Sequence, residues 1–311
     1  MISFLKLIRW SNLVIIIASM SIILFFVIST GLNITIFSGG LSFVEFLLLM
    51  LATVLIAIGG YITNDISDIN TDSVNKPGKN SIENTFSIEF ANNLYLITTI
   101  TGVLVGVFVS YLVNQINFSL IFVLSAGLLW FYSQKYQCQP IVGNIVIAFL
   151  SSLSFGLVWL FEFYALSNNA EVFVNVQSSF PSITRIVLIY MGFAFMTSLL
   201  REVIKDIEDY KGDNRFGCIT FTVKYGISAS RYFALVVAYT SLLATFYVQY
   251  SFLNAGTYLL LYAFLVIDIL FIVIITRLHS SSSKLNYSSI SRLIKILMIY
   301  GILTMILFYF E

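Results

Sequence analysis

The sequence predicts an all-α integral membrane bundle of nine transmembrane helices. Three observations carry that expectation. Hydrophobic residues make up 59% of the 311 residues and charged residues only 10%, against about 25% charge in a soluble domain. Uncharged apolar stretches recur along the whole chain, each near the roughly 20 residues that a crossing needs. The basic residues fall almost entirely into alternate connections, as they do when those connections stay on one side of a membrane. The same composition excludes an ordinary cytosolic enzyme and a disordered chain. A net charge of +1 gives no basis for binding nucleic acid. No Gly/Ser/Pro linker divides the chain, so 1–311 reads as a single membrane domain.

The spans are expected at 12–30, 43–64, 93–113, 117–134, 141–164, 183–205, 230–250, 256–277 and 293–310. The first follows Lys6 and Arg9 as a signal peptide would. It is longer than a typical signal core and lacks a small-x-small cleavage site, so it reads as retained. The second runs into a polar loop at 64–92, and the sixth into another at 206–230. Long loops in compact proteins are usually functional. The connection at 166–182 is nearly uncharged, and Ser280 to Ser283 reads as a solvated connector. With nine crossings, all but Arg185 of the 16 Lys and Arg fall on the side of the N-terminus. Basic loops stay in the cytoplasm, so the N-terminus is expected inside and Glu311 outside.

Two cysteines, Cys138 and Cys218, match neither a disulfide framework nor a metal spacing and read as free thiols. The aspartates are more telling. Of seven, six fall into two clusters with identical spacing: Asp65, Asp68 and Asp72, then Asp206, Asp209 and Asp213. Positions i, i+3 and i+7 share one face of a helix. Carboxylates grouped at a helix C-terminus repel one another and meet the negative end of the macrodipole. Twice over, that calls for a cation. Hard oxygen ligands select Mg²⁺ or Ca²⁺, and Mg²⁺ is typically held by one or two carboxylates plus substrate phosphates. A calcium loop fits poorly, since the glycine and terminal glutamate of that pattern are missing.

Bases surround both clusters: Lys76 and Lys79 after the first, Arg201, Lys205, Lys211 and Arg215 around the second. Such residues clamp a departing diphosphate. Arg201 and Lys205 stand four apart inside the last turn of a span and are the better candidates for function. The surplus of cations fits a phosphate-bearing acceptor. Aromatic residues, 16% of the chain, line a greasy cavity or face lipid. Glu162 reads as interfacial, Asp268 has no assignable role, and His279 reads as solvated in a connector.

These residues carry a resemblance. The stretch from Asn64 to Asp72 is similar to the NDxxDxxxD pattern, and Asp206 to Asp213 to the DxxDxxxD pattern, of the UbiA superfamily of intramembrane prenyltransferases. Arg9-x-x-Asn12 resembles the family's RxxN, and Gly143-Asn144 also fits. Tyr132 and Lys135 resemble its Tyr-x-x-x-Lys but stand one residue closer. The resemblance implies nine helices in a cell membrane of a bacterium or archaeon, with the active site on the cytoplasmic side. It implies that Asp65, Asp68, Asp206 and Asp209, with Asn64, bind two Mg²⁺ ions bridged by the donor diphosphate. Asp72 and Asp213 would support the metals from further out. Arg201 and Lys205 would assist catalysis, and Arg9, Asn12, Tyr132, Lys135 and Lys76 would bind the diphosphate. The implied reaction is transfer of a prenyl group from a prenyl diphosphate to a lipid-soluble acceptor. The block from Leu200 to Asp213 most resembles the branch that alkylates geranylgeranylglyceryl phosphate; an aromatic quinone precursor is the alternative acceptor. A cation-coupled transporter is the rival from another class. It fits less well, because transporter sites usually lie near the bilayer midplane and these acids sit at helix ends.

Overall fold

The computed structural model describes residues 2–78, 80, 82, 85–281 and 283–311, and all the regular structure among them is helical. Lys79, one of the expected bases, lies outside the described residues. In chain order the helices are α1 (Ile2–Leu7), α2 (Trp10–Leu32), α3 (Phe43–Ser67), α4 (Ile69–Asn75), α5 (Ile88–Leu112) and α6 (Ser119–Gln134). There follow α7 (Val142–Ser167), α8 (Ala170–Val176), α9 (Phe180–Arg215), α10 (Phe221–Ala255), α11 (Tyr258–Ser280) and α12 (Lys284–Thr304). Among the described residues, nine helices are long and apolar enough to cross a membrane, one for each expected span.

The helices outrun the expected spans because hydropathy measures transfer into lipid, whereas a helix continues wherever its backbone hydrogen bonds do. The clearest case is α9. Its 36 residues extend about 54 Å, well beyond the roughly 30 Å hydrocarbon layer. The second acidic cluster therefore rides on the projecting end of α9 and not in a loop, and most of the expected 206–230 loop is helix. The break comes inside α10 at Gly226, with φ of 86°, a backbone state open to glycine at little cost. The first cluster divides differently. Asn64 and Asp65 end α3, Asp68 forms the junction at φ −89° and ψ 2°, and Asp72 lies on α4.

α9 is the spine. It packs on α7, α10 and α12 in the membrane and on α4 at its projecting end, while α3 packs on α5 and α6. Its N-terminal half shares one apolar core with α2, α3 and α7, through Ile183, Val187 and Tyr190. Its C-terminal half shares a second with α10, α11 and α12, through Leu200, Val203 and Ile204. Two acids of the membrane-spanning helices are buried and hydrogen-bonded. Glu162, expected at an interface, is buried near the C-terminal end of α7 and accepts from the Leu41 amide at 3.0 Å. Asp268 of α11 is buried and accepts from Thr245 (2.6 Å) and Gln249 of α10. His279, expected in a connector, ends α11 and meets the Tyr239 hydroxyl at 3.3 Å.

The cysteines are not free: Cys138 and Cys218 form a disulfide across 80 residues of sequence. Their spacing could not reveal this, because the fold alone brings the segment after α6 beside the end of α9. Closing so long a loop restricts the unfolded chain, an effect worth about 2–4 kcal/mol. A Cys138→Ser, Cys218→Ser double variant should therefore unfold at lower temperature than the oxidised protein in detergent, and at the temperature of the reduced protein. Coincident unfolding of variant and oxidised protein would show that the bridge contributes nothing.

The two ends of the chain lie at opposite ends of the bundle. Arg9 reaches the first acidic cluster, whereas the Glu311 carboxylate accepts from the amides of Leu259 and Leu260, at the far end of α11. An acid at a helix N-terminus complements the macrodipole.

Candidate active site

The two acidic clusters, 134 or more residues apart in sequence, face each other across the junction of α3, α4 and α9. Lys76 joins them: its Nζ contacts Asp72 Oδ1 at 3.3 Å and Asp209 Oδ2 at 3.0 Å. Below it the helices touch. The Gly212 amide donates to Asn75 Oδ1 at 2.8 Å, and Asn75 Nδ2 lies 3.5 Å from Asp213 Oδ1. A Cβ on Gly212 would stand 2.4 Å from Asn75 Nδ2 and 2.7 Å from the Thr71 carbonyl oxygen. Only glycine permits that approach.

Arg9 closes the near side. Its guanidinium donates to Asp65 Oδ1 and, at 2.7 Å, to Asn64 Oδ1, and it lies over the Tyr61 ring, 5.2 Å from the centroid. The backbone of Arg9 is left-handed, φ 49° and ψ 50°. Non-glycine residues held there gather at functional sites, where the surroundings enforce the strain. Burial works against the Arg9 charge, but Asp65 more than offsets it, so the group is held more firmly protonated than a free guanidinium. Lys76 is in the same position, with burial opposed by Asp209 and Asp72.

Asn64 is a hub. Its Oδ1 accepts from Arg9, and its Nδ2 donates to Asp68 Oδ2 (2.9 Å) and to Gln137 Oε1 (3.0 Å). On the other cluster Asn144 Nδ2 donates to Asp206 Oδ2 at 3.0 Å. Asp68 and Asp206 are thus held by neutral amides and, among the described residues, form no ion pair within 4.0 Å. Burial pushes the Asp68 carboxyl up to about 6, and Asp72 adds to the rise against Lys205, Arg9 and Lys76. Asp209 keeps Oδ1 buried with no hydrogen-bond partner. A buried acceptor without a donor is costly, and this one belongs to an acid that faces the other cluster.

This donor set fits a hard divalent cation. Among the described residues no three carboxylates converge tightly enough to enclose an ion unaided. Mg²⁺ takes one or two carboxylates and completes its shell with water and phosphate oxygens. Asp65 and Asp68 on one side and Asp206 and Asp209 on the other would hold it. Asp72 shares Lys76 with Asp209, and Asp213 lies against Asn75.

The structure brings most of the expected site residues together. Arg201 Nη1 contacts Glu202 Oε1 at 3.0 Å, and Lys205 Nζ lies 3.7 Å from Glu202 Oε2. Tyr132 lies against Gly143, where an added Cβ would stand 3.1 Å from its ring. Asn12 accepts from Lys295 at 3.1 Å. Lys135 is exposed at the end of α6 and, among the described residues, makes no ion pair. Lys211 and Arg215 are exposed too, Arg215 lying over the Phe216 ring.

Four residues of the site escaped the sequence reading. Gln137 and Asn75 carry no pattern of their own, and neither does Asn80, which donates to the Asp65 carbonyl at 3.0 Å. Glu202 was legible: an acid inside an apolar helix beside Arg201 and Lys205 must be paired.

Comparison with known proteins gives a consistent result. A model of the UbiA prenyltransferase family matches residues 24–298. A protein of Methanocaldococcus jannaschii named digeranylgeranylglyceryl phosphate synthase is 30% identical over 299 residues, 95% of this chain and 92% of its own. One of the same name from Sulfurisphaera tokodaii is 29% identical over 265 residues, 85% and 84% of the two chains. Among solved structures, one of digeranylgeranylglyceryl phosphate synthase has a TM-score of 0.62 at 26% identity and covers 98% of this chain and 96% of its own. A homologue from Archaeoglobus fulgidus bound to DMAPP and Mg²⁺ has a TM-score of 0.56 at 14% identity, covers 97% and 99%, and shows the shared fold.

Proposed function

The chain belongs to the UbiA prenyltransferase family, and from that premise we propose that it transfers a geranylgeranyl group from its diphosphate to geranylgeranylglyceryl phosphate. Prenyl transfer comes with the family; the donor and acceptor are the proposal. The observation that carries the donor side is the pair of facing carboxylate clusters, with Asp68 and Asp206 on neutral amides and a bare acceptor on Asp209. The acceptor side is supported by the shared name of the relatives that match most of this chain.

Two Mg²⁺ ions, held by Asp65 with Asp68 and by Asp206 with Asp209, would neutralise charge that builds on the departing diphosphate. Asn64 and Asn144 orient the carboxylates by fixing one oxygen of Asp68 and one of Asp206. Arg9, Lys76, Arg201 and Lys205 lie around the same space and bind diphosphate oxygens as it leaves. The surrounding apolar helices exclude water from the allylic cation, so that the acceptor oxygen captures it. The test is to incubate purified protein with Mg²⁺, labelled geranylgeranyl diphosphate and a panel of acceptors, and to identify the lipid formed. Efficient product with a neutral or aromatic acceptor, and none with a glyceryl phosphate, would replace this reading.

The site faces the cytoplasm in this proposal. The basic loops support that side. The disulfide at the same end is at home in oxidising compartments and in the intracellular proteins of hyperthermophilic archaea. A reporter fused after Glu311 should read as outside and one placed within 64–92 as inside. The reverse pattern would put the site on the outer face.

A further inference from the structure

Residues 135–141 form a short strap between α6 and α7, with one turn of 3₁₀ helix at Tyr136–Cys138. The strap lies against the site: Gln137 Oε1 accepts from Asn64 Nδ2 at 3.0 Å. Among the described residues, that hydrogen bond and the Cys138–Cys218 disulfide are the two bonds that join the strap to elements other than α6 and α7. The far end of the disulfide also touches the site. Cys218 follows α9, and its amide donates to the Asp213 carbonyl at 2.9 Å. A chain of bonds thus runs from Asp68 through Asn64, Gln137, Cys138 and Cys218 to the backbone of Asp213.

The strap is not relaxed. Ile141, where it meets α7, has φ of 68°, a genuine outlier for a β-branched residue. Holding that state costs as much as a net hydrogen bond gives, or more. The single bond from Asn64 to Gln137 therefore does not hold the strap alone; the disulfide does. Asn64 depends on the strap in turn. It is buried. Its Oδ1 accepts from Arg9, one amide hydrogen goes to Asp68 and the other to Gln137. Without Gln137 that second hydrogen is a buried donor with no acceptor, which is costly. The amide must turn to find one, and its hold on Asp68 is lost.

We propose that Gln137 is a positioning residue for Asp68 and that the disulfide keeps it there, so that opening the bridge weakens Mg²⁺ binding at the first cluster and slows prenyl transfer. The inference rests on the proposed reading that the two clusters hold Mg²⁺ with the donor diphosphate. The bridge opens by thiol–disulfide exchange. A dithiol attacks it, gives up two electrons and two protons, and closes to its own disulfide, while Cys138 and Cys218 become thiols. Cys138 is only partly buried, and the attack comes from that side. A disulfide oxidant runs the same exchange backwards.

The test uses full-length protein in detergent, oxidised or treated with dithiothreitol, below the unfolding temperature of the reduced form. Alkylation of the freed thiols measures the reduction. Two quantities are read. One is the half-saturating Mg²⁺ concentration for prenyl transfer. The other is the rise in unfolding temperature caused by Mg²⁺ with inorganic diphosphate, which needs no turnover. Losing a partner behind a metal ligand costs about 10- to 100-fold in affinity or activity. Reduction should therefore raise the half-saturating Mg²⁺ about tenfold or more and shrink the diphosphate-dependent shift. Reoxidation with oxidised glutathione should restore both. Gln137→Met keeps the length of the side chain and removes the acceptor. It should match the reduced wild type whether its own bridge is open or closed, a coupling that a merely loosened fold would not give. Unchanged Mg²⁺ dependence in the reduced wild type overturns the proposal. So does an equal loss on reduction in wild type and Gln137→Met, since the bridge would then act by another route. If the oxidised wild type shows neither turnover nor a diphosphate-dependent shift, the reading of the metal site fails and the proposal falls with it.

Discussion

Asp65→Asn, Asp68→Asn, Asp206→Asn and Asp209→Asn should each lower kcat by about 10²–10³-fold or more, the loss typical when one preorganised electrostatic contact to the transition state is removed. The substitution keeps size and shape, so the folded protein should survive in detergent. The argument rests on how little the site has to spare. Asp65 is held by Arg9, Asp209 by Lys76, and Asp68 and Asp206 by single amides. Among the described residues no three carboxylates converge on one point. Asp72→Asn and Asp213→Asn should be milder, within about tenfold, because those carboxylates lie one helical turn further along α4 and α9 than Asp68 and Asp209. Steady-state rates at saturating donor and Mg²⁺, with the unfolding temperature of each variant as the control for folding, decide the matter. Losses of only a few-fold in all four would remove the clusters from the chemistry.

The nine spans and the two acidic clusters were legible because both are local. A span is a run of some 20 apolar residues, and a cluster is three aspartates within eight positions. What joins the clusters is not local. Asn75 meets Gly212 across 137 residues, Asn64 meets Gln137 across 73, and Cys138 meets Cys218 across 80. Each uses a common residue type that means nothing until the fold sets it opposite its partner. The extension of α9 to Arg215 was hidden for another reason. Ile207, Gly212 and Asp213 are buried against neighbouring protein, and hydropathy cannot tell a helix docked on protein from a polar loop.

The contact between α4 and α9 makes the largest test of that packing. Gly212→Ala should lower kcat/KM by about 100-fold while leaving every carboxylate, lysine and arginine in the chain. The added methyl would lie 2.4 Å from Asn75 Nδ2 and 2.7 Å from the Thr71 carbonyl oxygen. The Asn75 side chain is buried and bonded to the Gly212 amide, and the Thr71 oxygen is backbone. Neither can step aside alone, so α4 must move off α9 as a unit. That shift separates Asp72 and Lys76 from Asp209, and displacements near 1 Å in a catalytic arrangement cost about 10²-fold. Gly192→Ala on the same helix is the matched control, since nothing lies within 4 Å of its Cβ position. There the alanine should be neutral or stabilising by up to about 1 kcal/mol, from helix propensity alone. Both variants should be compared by kcat/KM for the donor, by unfolding temperature, and by cross-linking of cysteines placed at 73 and 211. Full activity in Gly212→Ala would mean that the two clusters do not work as one site, whatever each contributes alone.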